Sequence, residues 1–330
     1  MKVRVAKSAG FCFGVKRAVQ MVYDEAEKNP GKVYTMGPII HNEQVVEDLS
    51  RKGVRMIGDD LVCTETGQMP PEGSVIIVRS HGISRQMTEK LQQSGYRIVT
   101  ATCPFVQKIH DIVAKKSREG YGIIIVGNPG HPEVIGIRGW AEGPCAVVES
   151  AEDARRLAGQ SACTEPADES EKSASGGAAF AGNGLRKEKN ESENSDRLHL
   201  SKDHPVWIVS QTTFNYEKFK DIVEIIRKIW YDVKVTNTIC NATKERQTES
   251  LELAAKSDVM IVIGGRNSSN TQKLYDICKS RCGNTYYIQT LEDLSAVQFQ
   301  PDCCVGITAG ASTPNTIIQE VSINVRGTEL

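Results

Sequence analysis

The sequence predicts an α/β trefoil: three parallel-sheet units related by a pseudo-threefold axis, with their polar residues aimed at one centre. Two observations carry that expectation. The chain runs three times from a β-like segment into a cysteine, through a helix-length segment, and into an apolar strand that ends at glycine. The spacing also repeats, since Cys12 to Gly37, Cys103 to Gly127 and Cys240 to Gly264 span 25, 24 and 24 positions, a coincidence chance does not produce three times over. Apolar strands alternating with amphipathic helices form right-handed βαβ units in parallel sheets, and such sheets bind ligands beyond the carboxyl ends of their strands.

In the first copy VRVAKSAGFC leads into GVKRAVQMVYDEAEK and then KVYTMG, with His41 four residues past the glycine. The second runs YRIVTATC, PFVQKIHDIVAKKSREG and YGIIIVG, with His131 in the same place; Pro104 suits the first helical position, where a missing N–H costs nothing. The third runs VKVTNTIC, NATKERQTESLELAAKS and DVMIVIGG, with Ser268. A further polar residue closes each copy: His81 after SVIIV, Thr212 after VWIVS and Ser312 after CCVGITA. Residues 96–101 and 233–238 complete the first and second units, but the third ends in a helix-like segment, so the spare strand at 2–7 is expected to pack into it. The domains expected are 13–102, 103–236, and 237–330 joined by the N-terminal strand 1–12.

The interval from cysteine to closing residue is 69, 109 and 72 positions, so the middle copy carries about 37 extra. From Thr164 to Arg197 the chain has no Val or Ile and is dominated by Ser, Gly, Glu and Lys. Such a stretch cannot bury enough surface to offset its ordering entropy, and a flexible insertion at about 161–204 is expected.

Composition narrows the function. A formal net charge of −1 over 330 residues gives no basic excess for nucleic acid or an anionic membrane. The longest apolar runs are too short to span a bilayer and the N-terminus has no apolar signal region, so a cytoplasmic location is expected. Ten cysteines without a CxxC pair read as thiols or metal ligands rather than disulfides.

Three thiols at three helix N-termini, where the helix dipole lowers a thiol pKa, make a soft anionic site. Zinc with three Cys and a His or an open position is one reading; an iron–sulfur cluster with one iron lacking a protein ligand is the other. Ligands 91 and 137 residues apart, each from its own unit, suit the cluster better, because structural zinc ligands come in close pairs. His41, His81 and His131 in register, with NSSN at 267–270 ahead of a helix, form an anion site. With no GxxxxGK and no GxGxxG, that site suits a small phosphate-bearing ligand rather than a nucleotide. Glu133, two residues past His131, is a candidate proton donor, with a surface or capping carboxylate as the plain alternative.

The motifs GFCFGVKRAV, GPIIHN, SHGIS, ATCPFVQKIH, GNPGHPEV, SQTTF, NTICNATKERQ, NSSN and TAGASTP, in this order over nearly the whole chain, closely resemble those of the 4-hydroxy-3-methylbut-2-enyl diphosphate reductase family. The resemblance implies a central 4Fe-4S cluster held by Cys12, Cys103 and Cys240, and an allylic diphosphate substrate. It implies that His41, His81, His131, Ser268, Ser269, Asn270 and Ser312 hold the diphosphate, that Thr212 contacts the substrate hydroxyl and that Glu133 supplies protons. Ferredoxin or flavodoxin is the implied electron donor. Two readings stand beside it: a zinc-dependent hydrolase of a phosphorylated small molecule, and a non-enzymatic iron–sulfur sensor or electron carrier.

Overall fold

Continuous Val and Ile runs form strands when both faces of a sheet are covered by helices, and Val75–Val78, Gly122–Val126 and Val259–Ile263 are buried at every position. The computed structural model describes residues 1–160, 200, 203–297 and 299–327. Most of the expected insertion at 161–204 therefore lies outside the described residues.

The chain opens with β1 (Lys2–Val5), α1 (Phe13–Lys28), β2 (Val33–Met36), α2 (Glu43–Arg51), β3 (Arg55–Ile57), β4 (Val75–Val78), α3 (Arg85–Gln93) and β5 (Arg97–Thr100). It continues through α4 (Pro104–Arg118), β6 (Gly122–Val126), α5 (Pro132–Arg138), β7 (Cys145–Val148), α6 (Ala151–Gln160), β8 (Val206–Ser210), α7 (Tyr216–Arg227) and β9 (Val233–Val235). It closes with α8 (Asn241–Ala254), β10 (Val259–Ile263), α9 (Ser269–Lys279), β11 (Thr285–Ile288), a 3-10 turn, β12 (Cys304–Ala309) and α10 (Asn315–Gly327).

Three four-stranded parallel sheets result, ordered β3-β2-β4-β5, β7-β6-β8-β9 and β11-β10-β12-β1. The order is the same each time, and the three units form a trefoil. The last sheet takes its edge strand from the other end of the chain, with Lys2 to Val5 paired in parallel against Cys304 to Ile307. We propose 13–102, 103–236 and 237–330 with 1–12 as the domain limits, because each sheet draws its strands from one of these spans.

Helix α1 shows why these segments are helical. It buries Gly14, Ala18, Val19, Val22 and Ala26, one face at helical spacing, and ends on Lys28, a favourable charge at a C-terminus. Helix α8 differs, since its buried face is Thr243, Arg246, Gln247, Ser250 and Ala254. Among the described residues no helix is long and apolar enough to cross a membrane.

Candidate functional site

Cys12, Cys103 and Cys240 are the N-cap residues of α1, α4 and α8, each with extended backbone and none using its sulfur to cap its helix. Each backbone N–H is tied to the unit just left behind: Cys103 N donates to Ser80 O (3.0 Å), Cys240 N to Thr212 O (3.1 Å) and Cys12 N to Ala311 O (3.3 Å). All three cysteines therefore sit where one unit hands over to the next. This equivalence corrects the alignment read from the sequence. Thr212 is level with Ser80 and Ala311, one position before the level of His81 and Ser312, because it is Thr212's own carbonyl that meets the cysteine.

The thiols are electrostatic neighbours. Cys12 and Cys240 both act on Cys103, and Cys12 acts on Cys240. The expected lowering of their pKa values is reversed at two of them, because burial raises Cys103 and Cys240. The N–H groups of Phe105 and Val106 oppose this at Cys103, and Thr243 opposes it at Cys240. A helix N-terminus is worth a fraction of a kcal/mol to about 2, and desolvation here exceeds it. A coordinated metal would deprotonate such thiols outright.

The imidazoles of His41, His81 and His131 pack with ring centroids 4.5, 5.4 and 5.4 Å apart. Burial lowers the pKa of all three, that of His131 to about 3, and Arg79 adds to the effect on each. The rings are thus neutral at pH 7, and the buried His41 Nε2 and His81 Nδ1 have no hydrogen-bond partner. Among the described residues this is the one set of three His, Cys, Asp or Glu donors that closes to within 4.8 Å. It is better suited to an anion than to a metal. His131 Nδ1 accepts from Glu133 N at 3.2 Å, which leaves its proton on Nε2 as a donor and removes the lone pair an ion would need there.

Because these groups are neutral when buried and protonated when unfolded, acid favours the unfolded chain. Folded pKa values lie below the unfolded value, so stability is complete above about pH 6.5 and is lost as pH falls below it. Thermal unfolding between pH 7 and pH 5 is expected to show a slope approaching about 1.4 kcal/mol per pH unit from His131, with His41 and His81 adding in the same direction, and pyrophosphate is expected to reduce it. A pH-independent melting temperature over that range would contradict the neutral triad.

Ser268 caps α9, accepting from Thr271 N at 3.3 Å, and Ser312 Oγ donates to His41 O at 3.1 Å and reaches Ser268 Oγ at 3.4 Å. Asn270 is 5% exposed and its Nδ2 has no partner. Of the seven residues expected at the diphosphate site, His41, His131, Ser268 and Ser269 line one cavity, while His81 packs against the two imidazoles, Ser312 against His41 and Ser268, and Asn270 lies in the first turn of α9. The cavity measures about 1190 Å³ and is also lined by Lys273, among others.

Glu133 is 2% exposed, and both its oxygens are engaged by one residue. Thr212 N donates to Oε1 at 2.6 Å and Thr212 Oγ1 to Oε2 at 2.7 Å. Burial raises the carboxyl pKa, against the opposing pull of Thr212 and Lys273. Thr212 also offers its carbonyl to the backbone N–H of Cys240, which sets the Glu133–Thr212 pair next to the start of α8.

The sequence reading passed over Lys273. Its Nζ donates to Ser269 Oγ at 3.0 Å and lies 5.0 Å from the Phe214 ring centroid. Burial lowers its pKa to about 8 while Glu133 resists that shift. The signal was available: residues 269 and 273 are one helical turn apart and share a face.

The family model described as LytB protein matches residues 3–326. A protein of Thermoanaerobacter sp. (strain X514) named 4-hydroxy-3-methylbut-2-enyl diphosphate reductase is 40% identical over 328 residues, 99% of this chain and 97% of that one. Its namesake in Aquifex aeolicus (strain VF5) is 40% identical over 325 residues, 98% and 95% of the two chains. A solved structure of (E)-4-hydroxy-3-methyl-but-2-enyl diphosphate reductase, described as the terminal enzyme of the non-mevalonate pathway, is similar with a TM-score of 0.61. It is 38% identical over 99% of this chain and 100% of that one. The E-1-hydroxy-2-methyl-but-2-enyl-4-diphosphate reductase of Plasmodium falciparum is similar with a TM-score of 0.77 and 26% identity, over 98% and 87%.

Proposed function

The chain belongs to the LytB protein family, and on that premise we propose that it removes the hydroxyl of 4-hydroxy-3-methylbut-2-enyl diphosphate reductively. The products are isopentenyl and dimethylallyl diphosphates, and the step is the last of the non-mevalonate isoprenoid pathway. It is an oxidoreductase: two electrons and two protons enter, and water leaves. The observation that carries the reading is the buried Glu133 carboxyl paired with the Thr212 hydroxyl on the residue whose carbonyl holds the backbone N–H of Cys240, beside an anion pocket.

Cys12, Cys103 and Cys240 fit a 4Fe-4S cluster on two counts. No side chain caps its own helix, and the three thiols, one from the entrance of each unit, act on one another electrostatically, whereas structural zinc draws its ligands in close sequence pairs. Such a cluster supplies electrons and, at an iron without a protein ligand, Lewis acidity for the departing hydroxyl. The chain's own residues do the rest. Neutral imidazoles donate to phosphate oxygens, and the Ser268 and Ser312 hydroxyls with the N-terminus of α9 complete the hold. Binding energy from the diphosphate, remote from the reaction, keeps the reacting carbon in place. Glu133 delivers protons through the Thr212 hydroxyl.

Electrons come from a ferredoxin or flavodoxin, and we place the reaction in the cytoplasm. Protein purified without oxygen is expected to contain about four irons per chain, with matching sulfide, and to consume the allylic diphosphate under reduction. Zinc in place of iron would support the hydrolase, and iron without turnover would support a carrier.

Two expectations follow from contacts at the site. A Cβ on Gly14 would stand 2.6 Å from Cys103 Sγ, so Gly14→Ala, which stabilises an ordinary helix interior by about 1 kcal/mol, is expected instead to lower iron content. A more stable variant with full iron would show that the sulfur has room to move. Lys273 loses its proton at about pH 8, and kcat/KM reports the free enzyme, so kcat/KM is expected to fall as pH rises through about 8. That limb should vanish in Lys273→Met, and its persistence would assign it to another group.

A further inference from the structure

Arg246 is 3% exposed, on the polar buried face of α8. Its Nε donates to Ser8 O at 2.9 Å and its Nη2 to Gly10 O at 2.8 Å, while the buried Nη1 has no hydrogen-bond partner. Carbonyl oxygens orient a guanidinium but do not neutralise it, and a buried charge without a counter-charge costs several kcal/mol. The groups that most support its charge are the thiols of Cys12 and Cys240, ahead of Glu245 and Glu249. One turn further on, Glu249 accepts from Lys7 N at 2.7 Å and Ser8 N at 2.8 Å. Helix α8, which begins at Cys240, therefore grips the loop that delivers Cys12.

We propose that Arg246 is the internal counter-cation of the cysteine-held centre: a positioning residue that braces the turn before Cys12 and raises the reduction potential of the bound cluster. The proposal rests on the reading that these cysteines hold an iron–sulfur cluster. Each electron added makes that centre more negative, so an adjacent fixed cation stabilises the reduced form more than the oxidised one. Net charge and donors near the sulfurs are levers that set such potentials. Arginine suits the task because its charge is permanent and its planar fork divides between two carbonyls and a third direction.

The test is a spectroelectrochemical titration, without substrate, of the full chain reconstituted with iron and sulfide. In Arg246→Met the reduced-to-oxidised ratio at a fixed potential is expected to fall at least tenfold, a shift of about 59 mV to lower potential for one electron. Arg246→Lys, which keeps the charge but not the fork, is expected to melt at a lower temperature yet titrate near the wild-type potential. A loaded Arg246→Met chain with the wild-type potential overturns the proposal. Should the Met chain not fold or not load, Arg246→Gln decides: a loaded Gln chain whose potential falls by the same margin upholds the proposal, and a loaded Gln chain at the wild-type potential overturns it, as does a Lys chain that loads at a shifted potential. A wild-type chain that takes up no iron and sulfide sinks the functional reading itself, an outcome distinct from any of these.

Discussion

A Cys103→Ser chain purified without oxygen is expected to be colourless, to hold little iron and to turn over at background, yet to melt no lower than the wild-type chain stripped of its iron. The two effects have opposite signs for a local reason. Position 103 is the N-cap of α4, where Pro104 occupies the first turn and the cysteine makes no capping bond. Serine is among the favoured capping residues, and a good cap contributes about 1 kcal/mol. The burial that raises the Cys103 thiol pKa weighs more heavily on a hydroxyl, which starts far less acidic and is a poor soft-metal ligand. Iron content by chemical assay, the visible spectrum and a melting curve separate the contributions. Retained colour together with retained turnover would remove Cys103 from the ligand set, whereas lost colour with a collapsed melting temperature would make the residue structural.

The fold was legible because its repeat is written twice, in hydrophobic runs and in intervals. The strand at Lys2–Val5 could be sent to the far end of the chain because the third unit had no other fourth strand to offer. The His41, His81 and His131 cluster was legible from register, since His41 and His131 end equivalent strands of two units and His81 ends the neighbouring strand of the first, so the three meet if the units do. Arg246 was not. Helix α8 buries Thr243, Arg246, Gln247 and Ser250, so a search for apolar spacing finds no buried face on it, and a charged residue six positions past a cysteine reads as solvated surface. Lys273 was missed for the related reason that a lysine stem packs against apolar groups while its charge stays near polar ones. The direction of the thiol shifts was missed because a helix end is visible in sequence and desolvation is not. Fold follows from periodicity, but the electrostatics of a buried site depend on what is stacked around it from other units.

Glu133→Gln is expected to cut kcat by about 10²- to 10⁴-fold, the span a positioned general acid contributes, while iron content, the visible spectrum and affinity for the diphosphate stay near wild type. The carboxyl is fully buried and both its oxygens accept from Thr212. A glutamine of the same shape keeps the bond from Thr212 N and meets the threonine hydroxyl with its amide N–H₂, which obliges that hydroxyl to accept where it had donated. The pocket is preserved and the proton is lost. Stability should hold or rise, because a neutral amide costs less to bury than a carboxylate. Since burial raises the Glu133 pKa, the wild-type rate should decline as pH rises past that value, and the decline should be missing from the residual rate of the variant. Thr212 sharpens the test. If its hydroxyl carries the proton outward, Thr212→Val should reproduce much of the loss and Thr212→Ser should restore the rate, whereas an acid reaching the substrate directly would leave the valine chain active. Unimpaired turnover in Glu133→Gln would take this carboxyl off the proton path and leave its burial beside Thr212 a matter of packing.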